Sequence, residues 1–321
     1  MVPLVSLQCH KETTPPNPIA HSIVSRASFN AWDAAERETG DYLAFIDTRA
    51  QGSWESRTTR VKLVGFPGLF GEGSFTSHGF GVWHDPSDAN KIRIFLVNHR
   101  PSIDYAAGGA YLENAKVGGN STVEVFETIL GSDVAHYVRT YAHPLIRTPN
   151  DVEPAGPDSF YVSNDHHVKA GIRKELDMLM PLTDVAYCNL EGCKTALSKA
   201  QFANGIASYV SPETGMRTYY LSQTTSASKL VLTPQPDDTL FIADTLHIPL
   251  ASDNIYVSST SGAAYFVLFP DALHIARKQM KDPLKHGSPS LVLKVEKNDP
   301  LKEKEVFFGQ KFKVSMPWFP I

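Results

Sequence analysis

Asn150, Asp151, Asn204, Asp253 and Asn254 are the residues of this chain whose types and spacing carry the clearest chemistry. Together they form an all-oxygen donor set. Hard oxygen donors with a flexible coordination number suit Ca²⁺ far better than Zn²⁺, which prefers histidine or cysteine. Neither an HExxH nor a CxxC spacing competes with them. Within the stretch Thr148–His167, Asn150-Asp151 stands in front of a hairpin pattern. A second polar cluster, Asn164-Asp165-His166-His167, stands behind it and adds acid and imidazole groups.

The elements that position these residues read as strands. Residues 148–167 give two short strands around a turn at Gly156-Pro157. The same order of polar residue, strand, Pro/Gly/Asp turn and aromatic strand recurs after Asn30, His78, Asn204 and Asn254. From Asn30 to His78, Asn150, Asn204 and Asn254 the steps are 48, 72, 54 and 50 residues. A repeat near 50 with several strands per unit predicts an all-β protein, a β-propeller. Each copy then contributes its polar residue to one end of a central channel. A sixth copy is expected near Ser315. Residues 1–26, rich in proline and polar side chains, are expected to form an irregular arm, and 27–321 a single propeller domain. The chain stops after what reads as an inner strand, so the last blade needs an outer strand from the arm or stays incomplete.

The bulk properties narrow the function. With 321 residues, 42% of them hydrophobic, and a net charge of −4, the chain suits one large domain. No basic stripe points to nucleic acid, and no apolar run is long enough to span a bilayer. The apolar start is too short for a secretory signal, so the signal is expected to have been removed. Of three cysteines, Cys188 and Cys193 sit at the two ends of a predicted hairpin. They are either a disulfide or two free thiols. Asn120-Ser121-Thr122 is a glycosylation sequon on a Gly-rich loop. The pair and the sequon together place the protein in the secretory pathway or outside the cell. Arg100–Asn120 is long for a connection, and it is expected to lie as a lid over the polar face. Short helices are expected within Lys169–Pro181 and Asp271–Lys285. Nothing in the residues speaks to oligomeric state.

The fragments SHGF (77–80), LVNH (96–99), STVEVF (121–126), PNDV (149–152), GPDSFYVSNDH (156–166), FANGI (202–206) and DNI (253–255) resemble, in order, those of the paraoxonase/arylesterase family. The resemblance covers residues 74–260 and implies a six-bladed propeller with two calcium ions in its channel. By that resemblance Asn150, Asn204, Asp253 and Asn254 match ligands of the catalytic calcium. Asp151 and the Phe80 carbonyl match ligands of the structural one. His78 and His99 match a general-base pair, and His166 another active-site histidine. Three departures stand out. Ser28-Phe29-Asn30 replaces an acidic pair, Phe269 replaces a histidine, and the disulfide joining the family's two ends is missing. Fewer carboxylates imply one weakened central calcium site and a doubtful second one.

Two reactions on small apolar organic molecules fit these residues. One is calcium-dependent hydrolysis of lactones or aryl esters, with His78 as base. The other follows from a resemblance to propellers of fungal natural-product pathways: an intermolecular hetero-Diels–Alder cyclisation of a quinone-methide-type diene with a terpene alkene. That reaction needs a dry aromatic pocket, for which Phe29, Trp83, Tyr105, Tyr111 and Phe269 are the candidates. The lost acids tip the reading toward the cyclase.

Overall fold

The computed structural model describes residues 4–7, 41–53, 55–68, 75–104, 106–279, 286–296 and 305–309. Phe29, Asn30, Tyr105 and Ser315 lie outside them. The chain divides into two compact units, Met1–Pro144 with Pro154–Asp158, and Leu145–Glu153 with Ser159–Ile321.

In the first unit β1 (Leu4–Leu7), β2 (Tyr42–Ile46), β3 (Thr58–Val64), β4 (Ser77–Asp85) and β5 (Asp88–Asn98) come first. They are followed by a two-strand ribbon, β6 (Ile103–Asp104) with β7 (Ala110–Tyr111), and then by β8 (Thr122–Ile129) and β9 (Val134–Tyr141). The order β4-β5-β8-β9 is a four-stranded antiparallel meander, and β9 continues it by parallel pairing with β3 and on to β2 and β1. Four residues of the segment expected to be irregular, Leu4–Leu7, therefore form a strand. The core is aromatic: Phe66 meets Phe75, Phe126 and Tyr137 with ring centroids 6.3, 5.4 and 5.5 Å apart.

The second unit opens on the first five residues of β10 (Pro149–Gly156), followed by β11 (Ser159–Asn164), β12 (Thr183–Asn189) and β13 (Gly192–Ala200). Next come β14 (Ala203–Val210), β15 (Arg217–Gln223), β16 (Ser228–Pro234) and β17 (Leu240–His247). The last four are β18 (Ala251–Val257), β19 (Ala264–Phe269), β20 (Ser290–Val295) and β21 (Glu305–Gly309). They make three four-stranded sheets, each paired in sequence order. Four such antiparallel meanders in succession make this an all-β, propeller-like protein. Patterning explains the strands: β20, SLVLKV, alternates half-buried and buried. Its inward Leu291, Leu293 and Val295 pack in one cluster with Phe266 and Tyr220. The stretch expected to hold a helix contains one at Ile172–Asp177. Among the described residues no helix is long and apolar enough to cross a membrane.

Gly205 shows how tightly two of these sheets meet. A Cβ there would come within 2.6 Å of Asn254 Cα and 2.7 Å of the Ile255 nitrogen. Both are backbone atoms that cannot swing aside. Gly205→Ala is expected to cost at least about 2 kcal/mol by overpacking. Gly131 has φ 86°, but a Cβ added there would meet nothing within 4 Å, so Gly131→Ala should cost only its backbone strain, about 1–2 kcal/mol. Urea denaturation of both variants checks this. Equal destabilisation of the two would contradict the packing argument.

Candidate functional site

The first strand of a sheet begins with the same irregularity three times. In β4, Ser77 pairs with Asn98 and Phe80 with Leu96, so His78 and Gly79 together face Val97. In β14, Asn204 and Gly205 face Ser222, and in β18, Asp253 and Asn254 face Val267. Each is a β-bulge, in which one extra residue leaves the ladder and the strand re-aims its side chains. Three of the polar residues read as a repeat in the sequence, His78, Asn204 and Asn254, are bulged residues.

In the second unit these bulges gather oxygen. Asn204 Nδ2 donates to Thr224 Oγ1 at 3.0 Å, and Asn204 Oδ1 accepts from the Gly205 amide at 2.8 Å. Asn150 Nδ2 lies 3.5 Å from Asp165 Oδ2. Burial pushes the Asp253 carboxyl up to about 7; a hydrogen bond with Asn204 works against that shift, and the Asp165 charge adds to it. Asn150, Asp165, Asn204 and Asp253 are thereby neighbours, and the Asn254 backbone packs on Gly205. Asp165 is a member that the ligand pattern in the sequence does not reveal. Asp151 has a different position: its carboxyl oxygens accept from the Val152 amide at 2.9 Å and the Ile206 amide at 3.1 Å, stitching β10 to β14. Burial raises it to about 7, against those two amides. Glu153, two residues on, is raised to about 7 by the same cause.

Among the described residues no three of His, Cys, Asp and Glu converge as a metal cluster. The donors are instead carboxylates joined by amides. Their chemistry fits a hard divalent cation: oxygen throughout, and in Asp253 a carboxyl whose burial opposes its charge. Asn150, Asp165, Asn204 and Asp253 are the residues that would hold it.

The imidazoles form two separate arrangements. In the first unit His78 Nδ1 and His99 Nε2 share a hydrogen bond of 2.9 Å, and His99 Nδ1 and Ser121 Oγ another of 2.9 Å. Ser121 is the middle residue of the sequon, and the sequence marks it only as part of that motif. Asn120 itself is exposed. In the second unit His166 Nδ1 lies 2.7 Å from Asp177 Oδ1.

The aromatic candidates do not form one group. Trp83 sits on β4 opposite Arg93, five residues beyond His78 and so roughly 16 Å along the strand. Phe80 follows the bulge, paired with Leu96. Phe269 ends β19, half-buried and opposite Ala251. Tyr111 is in β7, paired with Ile103. The loop Arg100–Asn120 is not structureless: the β6–β7 ribbon and bonds such as Ser102 Oγ to the Gly118 carbonyl at 2.8 Å tie it together. Cys188 and Cys193 are joined in a disulfide across β12 and β13.

The sequence pattern of the arylesterase family matches residues 42–307, which reach from β2 into β21. The chain belongs to the arylesterase family. Among curated members it is 27% identical over 208 residues to serum paraoxonase/arylesterase 2 of Gallus gallus, covering 64% of this chain and 52% of that protein. It is 22% identical over 226 residues to serum paraoxonase/lactonase 3 of Homo sapiens, covering 70% and 57%. The chain thus spans about half the length of the curated relatives it matches. Among solved structures, a gluconolactonase from Xanthomonas campestris superposes with a TM-score of 0.42 and 14% identity, covering 83% of this chain and 71% of that one. Family membership supports hydrolase chemistry at the level of esterases and lactonases. It gives no support to a cyclase.

What holds the bulges in place also repeats. The last residue of the second strand is an amide in three sheets, and it accepts from the backbone leading into the first strand. Asn98 Oδ1 takes the Thr76 amide at 3.0 Å, Asn164 Oδ1 the Thr148 amide at 3.1 Å, and Gln223 Oε1 the Gln201 amide at 2.7 Å. In the β18–β21 sheet the second strand ends in Leu268, at that register position, and Phe269, and neither side chain can accept. Lys229 ties down the segment leading into β18 in a different way, as a donor to carbonyls. Its Nζ donates to the carbonyls of Gln223 at 2.7 Å, Ser226 at 2.6 Å and Leu250 at 3.2 Å, the last just ahead of β18. Three carbonyls match the three N–H groups of an ammonium. Burial pushes this lysine down to about 8. Between that value and the ordinary lysine range the unfolded chain holds a proton the folded chain has released, so stability rises with pH across the window. Relative to Lys229→Met, the parent's urea stability is expected to gain up to about 3 kcal/mol between about pH 8 and pH 10.5. A difference that stays flat across that range would contradict the burial of this charge.

Proposed function

We propose that this chain is a calcium-assisted hydrolase of small apolar lactones or aryl esters, built on a six-bladed propeller and acting in the secretory pathway or outside the cell. The observation that carries the reading is the convergence of Asn150, Asp165, Asn204 and Asp253, with a carboxyl held up to about 7 by burial. A calcium ion bound there would supply a Lewis acid for a carbonyl oxygen. In the first unit the hydrogen-bonded His78–His99–Ser121 chain is an arrangement of the kind that takes up a proton. His166 Nε2 is available as an acceptor for a proton of water at the substrate. The repeat near 50 residues and the four meanders fit six blades. The disulfide between Cys188 and Cys193 supports an oxidising compartment, and exposed Asn120 fits a glycan.

The cycloaddition reading has less behind it. It rests on an aromatic wall, and Trp83 stands away from His78 on its strand, while Phe29 and Tyr105 lie outside the described residues. The retained oxygen donors and the family membership favour hydrolysis.

The test is turnover of phenyl acetate and of a long-chain δ-lactone, with and without EDTA. Hydrolysis is expected, lost in chelator and returned by Ca²⁺. Asp253→Ala and Asn204→Ala are expected to lower turnover by at least about a hundredfold with the fold retained. Undiminished hydrolysis in chelator, or none at all by folded protein, would overturn the reading. Cycloaddition of a quinone methide with a terpene in chelator would replace it with the cyclase.

A further inference from the structure

We propose that Asp177 is a positioning residue that fixes His166 with its proton on Nδ1 and turns Nε2 toward the substrate; the substrate clause rests on the hydrolase reading above.

The sequence around Asp177 reads as an ordinary amphipathic helix, KAGIRKELDMLM. Its apolar members Ile172, Leu176, Leu179 and Met180 are exposed, whereas Asp177 is only 3% exposed. A buried carboxylate on a helix with exposed leucines reverses the usual preference and needs a reason. Three donors supply one. Asp177 Oδ1 lies 2.7 Å from His166 Nδ1, and Oδ2 accepts from the amides of His167 at 2.7 Å and Val168 at 3.3 Å. An ionised carboxylate only accepts, so the hydrogen between Asp177 and His166 belongs to Nδ1. With Nδ1–H committed, the neutral ring presents the lone pair of Nε2. Among the described residues no protein group caps that nitrogen.

The rest of the surroundings lock the ring. The His166 amide donates to Thr148 Oγ1 at 3.0 Å, and Thr148 Oγ1 donates to the His166 carbonyl at 2.8 Å. One face of the ring meets Phe202, with centroids 5.0 Å apart. Phe202 takes a left-handed φ of 49°. A bulky residue adopts that conformation only when its surroundings demand it. Here it stands two residues before the bulged Asn204, with its ring on His166. The helix Ile172–Asp177 has no side-chain cap at its start, and the Asp177 carboxylate is what ties its last residue to the strand end. Helix placement and the His166 tautomer are therefore linked through one side chain.

The test is long-range ¹H–¹⁵N correlation of His166 in the full chain at about pH 8, where an ordinary imidazole is neutral, for the parent and for Asp177→Asn, with His166→Gln to assign the signals. The parent is expected to show the Nδ1–H tautomer. Asp177→Asn, which keeps the size and the backbone acceptor, is expected to lose that preference and to turn over ester about tenfold more slowly with KM little changed. An Nε2–H tautomer in the parent would overturn the proposal, whether or not the variant folds. So would an Asp177→Asn protein that is destabilised yet keeps the parent's tautomer. If the parent hydrolyses neither ester nor lactone, the hydrolase reading fails while the tautomer spectrum still decides the role of Asp177.

Discussion

The β-bulge at the start of the first strand is the constraint on which the site depends. A regular strand turns successive side chains to opposite faces, so two adjacent residues cannot serve one site. The extra residue breaks that alternation where the polar pairs His78-Gly79, Asn204-Gly205 and Asp253-Asn254 stand. A bulge leaves backbone groups outside the ladder, and these need partners. The amides of Asn98, Asn164 and Gln223 accept from the segments leading in, and Lys229 donates to the Leu250 carbonyl just ahead of β18. Gly205 is then required because the bulged backbone presses on its neighbour's.

The electrostatics follow from that geometry. Bringing Asp151, Asp165 and Asp253 together out of water is unfavourable, and Asp253 gains only a neutral amide in exchange. Asp151 shows the alternative: two backbone amides accept its charge, and it serves as a strap between two strands. The two acids share a raised carboxyl for the same reason, burial, yet only one has its oxygens already engaged by the fold. A hard cation would compensate the first case.

Much of the fold is legible in the sequence because it is periodic. The strands alternate, and the polar residues His78, Asn150, Asn204 and Asn254 recur at a spacing that falls at the start of successive sheets. What periodicity does not carry is partner choice. Asp165 stands in view beside His166, but its place next to Asn150 is set by pairing across the β10–β11 hairpin. Asp177 and Lys229 look like solvated helix and strand charges; only tertiary contacts bury them. Ser121 disappears into a sequon pattern, although its hydroxyl turns inward to His99. Residue type alone makes Trp83 a pocket wall, and its register opposite Arg93 takes it down the strand. The loop Arg100–Asn120 has composition typical of an unstructured lid, and its ribbon arises from local turns at Gly108 and Gly109, with φ 74° and 89°.

The central claim is that the bulged Asn204 and Asp253, with Asn150 and Asp165, form one cation site in the second unit. Anomalous diffraction from crystals soaked in terbium, a lanthanide that mimics Ca²⁺, tests it most directly. The account predicts a single strong peak within bonding distance of oxygens from Asn204 and Asp253, with Asn150 or Asp165 completing it, and no such peak in crystals of Asp253→Ala. A peak bound elsewhere, or none at these residues at saturating metal, would contradict it.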